Sequence, residues 1–228
     1  MSSPTRAPDP RPARTRAAIY TAARELSSAD GEVTVNALTR RAGISRAAFY
    51  SHFSGLDELI GQMLHDMFQT VWEEGAAMHR GVASPHERVR SSTAVVVAYV
   101  EQHRAFLLGA LDWKFSHRTF LALLEMVSVR HRHAFDALGE DLPAEVDRSV
   151  ASDAFAGSQL SLIIRWLDRS EHVVAGGGEP DAAALLESTL RCWPTWYTGL
   201  QPGDDFDARG LLEAAHRVLA EQREQAQD

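Results

Sequence analysis

Apolar residues recur along this chain at spacings of three and four and almost nowhere alternate, so the pattern predicts helices throughout. Ile19, Ala23 and Leu26 form one stripe, with Tyr20 beside it, on a helix over 14–29 that Asp30-Gly31 ends. Thr34 can cap a second, short helix on which Leu38 and Ala42 share a face. Gly43 can close that helix in a left-handed conformation that a residue with a Cβ adopts poorly. Ile44 then turns inward and Ser45 can cap a third helix, whose inner face is Ala48, Phe49 and Phe53. Ser45, Arg46, Ala47, Tyr50 and Ser51 are left pointing outward. Ser54, with Asp57 and Glu58 in the following turn, starts a fourth helix carrying Leu59, Met63, Met67, Phe68, Val71 and Trp72 inward to about residue 79.

Gly81 to Pro85 interrupts the pattern. A long helix is then predicted over 86–110 through Val89, Val96, Val97, Val100 and Leu107, with a bend at 111–114. Further helices are predicted over 117–138, ended by Gly139, and from 144 to about 170. Others cover 181–199, interrupted at Pro194, and 207–224 through Leu211, Leu212, Ala215 and Leu219. The sum is nine or ten helices and an all-α fold. Two short helices joined by a glycine turn make a helix-turn-helix, whose second helix fits the DNA major groove.

Length and charge sharpen this. A chain of 228 residues can hold a small head on a larger helical body. The pattern divides it into an arm over 1–13, where four prolines forbid a regular helix, a helix-turn-helix domain over 14–60, and a helical body over 61–228. The formal net charge of −8 argues at first against a nucleic-acid partner. Its distribution reverses that: residues 1–53 hold eight arginines against Asp9, Glu25, Asp30 and Glu32. A basic head on an acidic body directs DNA to the head. Arg6 and Arg11 of the arm are candidates for a minor groove, or belong to a solvated tail. Cys192 is the only cysteine, the start has no signal-peptide segment, and no run of about 18 apolar residues occurs. The expectation is a cytoplasmic protein without a membrane span.

The stretch ALTRRAG followed by ISRAAFYSHFSGLDEL closely resembles the TetR family of transcription regulators. Ala42, Gly43 and Ile44 fit the family's turn, and Tyr50-Ser51-His52-Phe53 fits its Tyr-x-x-Phe ending of the recognition helix. The resemblance implies a three-helix DNA-binding head on an all-helical body, and assigns effector binding and dimerisation to that body, here 61–228. It implies a homodimer on a palindromic double-stranded operator, and release of that DNA by a small molecule. Residues 155–167 resemble the family's penultimate helix more loosely. Two positions depart from the pattern: Thr39 stands where the family usually has Ala, and Leu56 where it usually has a phosphate-touching Lys. One lost phosphate contact lowers the salt slope by about one.

On this reading Arg46 is the first candidate for base readout, through two parallel hydrogen bonds to guanine, with a phosphate as its alternative partner. Ser45 both caps and touches a phosphate, Ala47 sits where a methyl meets a thymine methyl or is a plain helix former, and Tyr50 reaches a phosphate or packs inward. Thr34, Arg40, Arg41 and Ser51 complete the DNA-facing set, positioning without reading sequence. His52 is structural. Candidates for an effector pocket are Phe68, Trp72, His103, Phe106, Trp113, Phe115, His117, Phe120, Arg165 and Trp166, each of which is otherwise core. A facing Arg165 would suit an anionic or carbonyl-bearing ligand. Val150, Ala154, Gly157, Ser161 and Ile164, with Leu186, Leu190, Trp193 and Tyr197, are the predicted four-helix dimer interface, or else pack within one chain. His131-x-His133 puts its two rings on different faces of a helix, so no metal and no cofactor is predicted. The sequence holds no phosphate loop and no nucleophile with its base, which disfavours an enzyme. A DNA-binding dimer that needs no ligand remains open.

Overall fold

The computed structural model describes residues 11–27, 33–78, 84–114 and 117–225. Among them are eleven α-helices: α1 (Arg11–Ser27), α2 (Val35–Ala42), α3 (Arg46–Tyr50), α4 (Leu56–Met78), α5 (Pro85–Gln102), α6 (Arg104–Lys114), α7 (His117–Leu138), α8 (Arg148–Ala175), α9 (Ala182–Cys192), α10 (Thr195–Thr198) and α11 (Ala208–Gln225). None is long and apolar enough to cross a membrane. The chain divides into two compact units, a head through Met63 joined by 105–116, and a body of Leu64–Arg104 with the chain from His117 onward.

The head core is built from Ile19, Ala22 and Ala23 of α1, Leu38 of α2, Phe49 and Phe53 around α3, and Leu59, Ile60 and Met63 of α4, all buried. Phe49 and Phe53 meet at 5.8 Å between ring centroids. Arg16 lies over the Tyr20 and Phe53 rings at 5.2 and 5.7 Å and donates to the Tyr20 hydroxyl at 2.8 Å. Phe106 and Ala110 of α6 are buried too. Gly109 sits so close to the end of α1 that an added Cβ would collide with the Ser27 carbonyl oxygen. That neighbour is backbone and cannot swing away. Gly109→Val should therefore cost about 1–3 kcal/mol by overpacking, read as a lower urea midpoint of the head.

Several sequence expectations are corrected here. Residues 1–10, with Arg6, lie outside the described residues, but Arg11 opens α1 instead of belonging to an arm. Pro12 is no obstacle, because the first helical turn has no backbone partner for its missing N–H. The helix predicted over 86–110 breaks at His103, which leaves helical geometry with φ −103° and ψ 16°. The apolar pattern runs through that break, yet the residues after it pack with the head; Gly109 is what lets them approach. The helix expected from 144 starts at Arg148, because Asp147 accepts from the Ser149 and Val150 amides at 2.9 and 3.1 Å. Pro194 separates α9 from α10 outright.

In the body, α5 is buried almost all round from Thr93 to Ala98, as a central helix must be. It packs against α7, α9, α10 and α11, and α8 packs on α7 and α9. Phe135, Phe155, Trp193, Trp196 and Tyr197 form an aromatic cluster, with Phe155 and Tyr197 at 5.0 Å. Leu186, Leu190, Trp193 and Tyr197, expected at a dimer interface, are buried inside one chain instead. The inner face of α9 covers α5 and α11, and the Trp193 indole donates to Ser158 Oγ at 3.0 Å. The α8 part of that prediction looks outward: Val150 is 65% exposed, Ala154 and Ser161 are exposed, and Gly157 and Ile164 are half-buried.

Candidate nucleic-acid interface and a body cavity

Local chemistry fixes the helix-turn-helix. Thr34 Oγ1 accepts from the Ala37 amide at 3.1 Å and caps α2. Gly43 ends it at φ 66° and ψ 31°, with the Ile44 amide bonded back to the Thr39 carbonyl at 3.0 Å. Ser45 Oγ accepts from the Ala48 amide at 3.1 Å and caps α3. Each cap supplies a partner for an otherwise orphaned helix N–H, worth about 1 kcal/mol. Thr39 is buried, but its hydroxyl donates to the Val35 carbonyl at 2.9 Å. A threonine in place of the usual alanine is thus accommodated without an unpaired group.

On the outside, Arg40, Arg41, Ser45, Arg46, Ala47, Tyr50 and Ser51 are exposed, and Thr34 is half-buried. Tyr50 is 49% exposed, with its ring edge against Phe49 at 5.4 Å. Packing on one side and solvent on the other leave the Tyr50 hydroxyl outside. Ser51 Oγ donates to the Ala48 carbonyl at 2.8 Å. His52 is half-buried beside Phe53 at 6.2 Å. Arg41 pairs with Glu25 of α1 in an exposed ion pair. Arg46 donates to Asn36 Oδ1 at 3.2 Å. Asn36 was missed on sequence, although it lies one turn before Arg40 on the same outer face of α2.

The family model for bacterial regulatory proteins of the tetR family matches residues 19–63, the span of these helices. The head is a TetR-family domain. No curated protein matches the chain. Among solved structures, the chain resembles FadR of Thermus thermophilus, a TetR-family transcriptional repressor solved with lauroyl-CoA, at TM-score 0.61 and 19% identity, over 84% of this chain and 98% of that one. It resembles ligand-free RolR at TM-score 0.57 and 18% identity, over 89% and 95%. It also resembles NalD, the secondary repressor of a multidrug efflux pump in Pseudomonas aeruginosa, at 0.56 and 24%, over 80% and 97%. At these identities the likeness establishes a shared fold: a small helical head followed by a larger helical body.

The body contains a half-open cavity of about 270 Å³ between α4, α5, α7, α8 and α10. Of the residues expected at an effector pocket, Trp72 lines this cavity and Phe68 lines a smaller void beside it. The other described pocket candidates lie elsewhere. His103 sits against Tyr99 at 4.3 Å. Phe106 belongs to the head core, His117 and Arg165 are exposed, Phe120 is half-buried, and the Trp166 indole donates to the Asp181 carbonyl at 3.1 Å. Phe115 and the side chain of Trp113 lie outside the described residues. Sequence reasoning missed Arg88, Arg130, His131, Gln159 and Tyr197, which line the cavity. The signal existed: Val127, Arg130, His131 and Ala134 follow the three-four spacing of an inward face.

His131 and Tyr197 set the chemistry of this cavity. His131 Nδ1 and the Tyr197 hydroxyl are 2.6 Å apart, both deeply buried. Burial, with the nearby charge of Arg130, lowers the His131 pKa to about 3, against a weaker opposing effect of Gln159. The ring is therefore neutral at neutral pH. Burial also pushes the Tyr197 phenol up, opposed by Arg130. The phenol keeps its proton, and its one hydrogen-bond partner is His131 Nδ1, so Tyr197 donates and the ring proton sits on Nε2. That Nε2 has no hydrogen-bond partner: Gln159 influences the ring without completing the geometry.

Proposed function

We propose that this chain is a ligand-responsive transcriptional regulator, most simply a repressor. A homodimer sets two α3 helices into successive major grooves of a palindromic operator, and a small molecule in the body cavity lowers DNA affinity. The carrying observation is that the capped helix α3, anchored by buried Phe49, holds Arg46, Ala47 and Tyr50 outward together. FadR and RolR, which share the fold, are known with lauroyl-CoA and resorcinol bound, and the cavity supports the same kind of response here. Support for dimerisation comes from the α8 face, where Val150, Ala154 and Ser161 are exposed beside half-buried Gly157; small residues there admit a partner helix. The body cavity favours this reading over a constitutive DNA binder.

Gel shifts on the DNA flanking the gene test it. Arg46→Ala should weaken specific binding about 10–100-fold, the range of a lost bidentate base contact. Loss of sequence preference would mark a base contact, whereas a salt slope lower by about one would mark a phosphate contact. Tyr50→Phe should weaken binding modestly on all sequences. Unchanged affinity in both variants at moderate salt would remove the assignment of the head surface.

A further inference from the structure

Arg130 is a cation with no anionic partner among the described residues. It is half-buried in the body, between the main cavity and the smaller void, and lines both. No carboxylate pairs with it among the described residues, and none lines either space. Its neighbours share the deficit. Among the described residues Arg88 Nε is buried without a hydrogen-bond partner, and so is His131 Nε2. Two donor groups that burial has stripped of water, Arg88 Nε and His131 Nε2, therefore line one space with the half-buried Arg130 guanidinium, and no acidic side chain lines that space. Folded proteins leave few such groups unpaired, and an unpaired buried charge is costly.

Resting on the reading of this cavity as the effector site, we propose that its ligand is a small organic carboxylate. The Arg130 guanidinium is its counter-ion, and Arg88 and His131 Nε2 are further donors. An arginine fork suits a carboxylate because it gives two parallel charge-assisted hydrogen bonds. The rest of the lining fits an apolar body: Val89, Ala134, Ala137 and the Trp72 ring. A volume of about 270 Å³ lies at the small end of ligand sites and suits a body of a single ring or a short aliphatic chain. Burial lowers the Arg130 pKa while Tyr197 opposes it, yet an arginine keeps its proton inside a protein.

The test is calorimetry on the full chain with single-ring and short-chain carboxylates, each paired with its neutral amide, and with inorganic phosphate. Carboxylates should bind and their amides should not. Arg130→Gln should weaken binding roughly tenfold or more, and Arg88→Gln by less. A second readout needs no ligand: Arg130→Gln should leave the empty protein as stable as the parent or more so, because it removes an uncompensated charge. Amides binding as well as carboxylates, phosphate binding as tightly as the organic anions, no member of the panel binding, or Arg130→Gln unfolding the empty body would each overturn the proposal. Carboxylate binding that leaves DNA affinity unchanged would support the ligand class and sink the regulatory reading instead.

Discussion

Replacing Phe49 with alanine is expected to destabilise the head by about 3–5 kcal/mol, the usual cost of removing a buried phenylalanine, and to abolish DNA binding with it. The ring has no solvent exposure. It meets Tyr50 edge-on at 5.4 Å and Phe53 at 5.8 Å, and Phe53 in turn meets Tyr20 at 6.2 Å. One side chain therefore links the outward-facing helix to α1. A domain this small has little core to spare, and whole domains are held by only about 5–15 kcal/mol. Urea titration followed by circular dichroism should show the head melting early while the body transition keeps its midpoint. A loss under about 1 kcal/mol would mean that the head core is not organised around this ring.

The body should lose stability in mild acid, by about 2 kcal/mol between pH 8 and pH 5. In the folded protein His131 resists protonation down to about pH 3, whereas in the unfolded chain an ordinary histidine takes a proton near pH 6.5. Between those values the unfolded state binds more protons. Stability is therefore complete above the unfolded pKa and falls as pH drops towards the folded one. The stretch from pH 6.5 to 5 is the useful one, because most carboxylates have not yet begun to titrate there. His131→Gln cannot take up a proton, so its stability should be flatter over the same stretch even if lower at pH 8. Equal slopes in the two proteins would refute the assignment.

The head could be read from sequence because its determinants are local. A hydroxyl at 34, a hydroxyl at 45 and a glycine at 43 each act within four residues of themselves, and Phe49 and Phe53 are one turn apart. The body is different. The break at His103 sits inside an unbroken run of apolar spacings, and only the docking of α6 beside α1, across more than eighty residues of chain, accounts for it. Leu186, Leu190, Trp193 and Tyr197 carry the same apolar signature whether they cover α5 of their own chain or a partner's helix. Arg130 was passed over because long cationic side chains usually lie at the surface. What makes it a cavity residue is the convergence of helices far apart in sequence.

The hydrogen bond from Arg46 to Asn36 bears on how discriminating the head can be. A long flexible side chain normally surrenders rotational freedom when it docks, and that loss subtracts from affinity. Here one nitrogen is anchored beforehand, and the rest of the five-donor fork stays available. If Arg46 reads a base as proposed, a tip steadied in advance gives up less on meeting the right base edge and has less room to adjust to a wrong one.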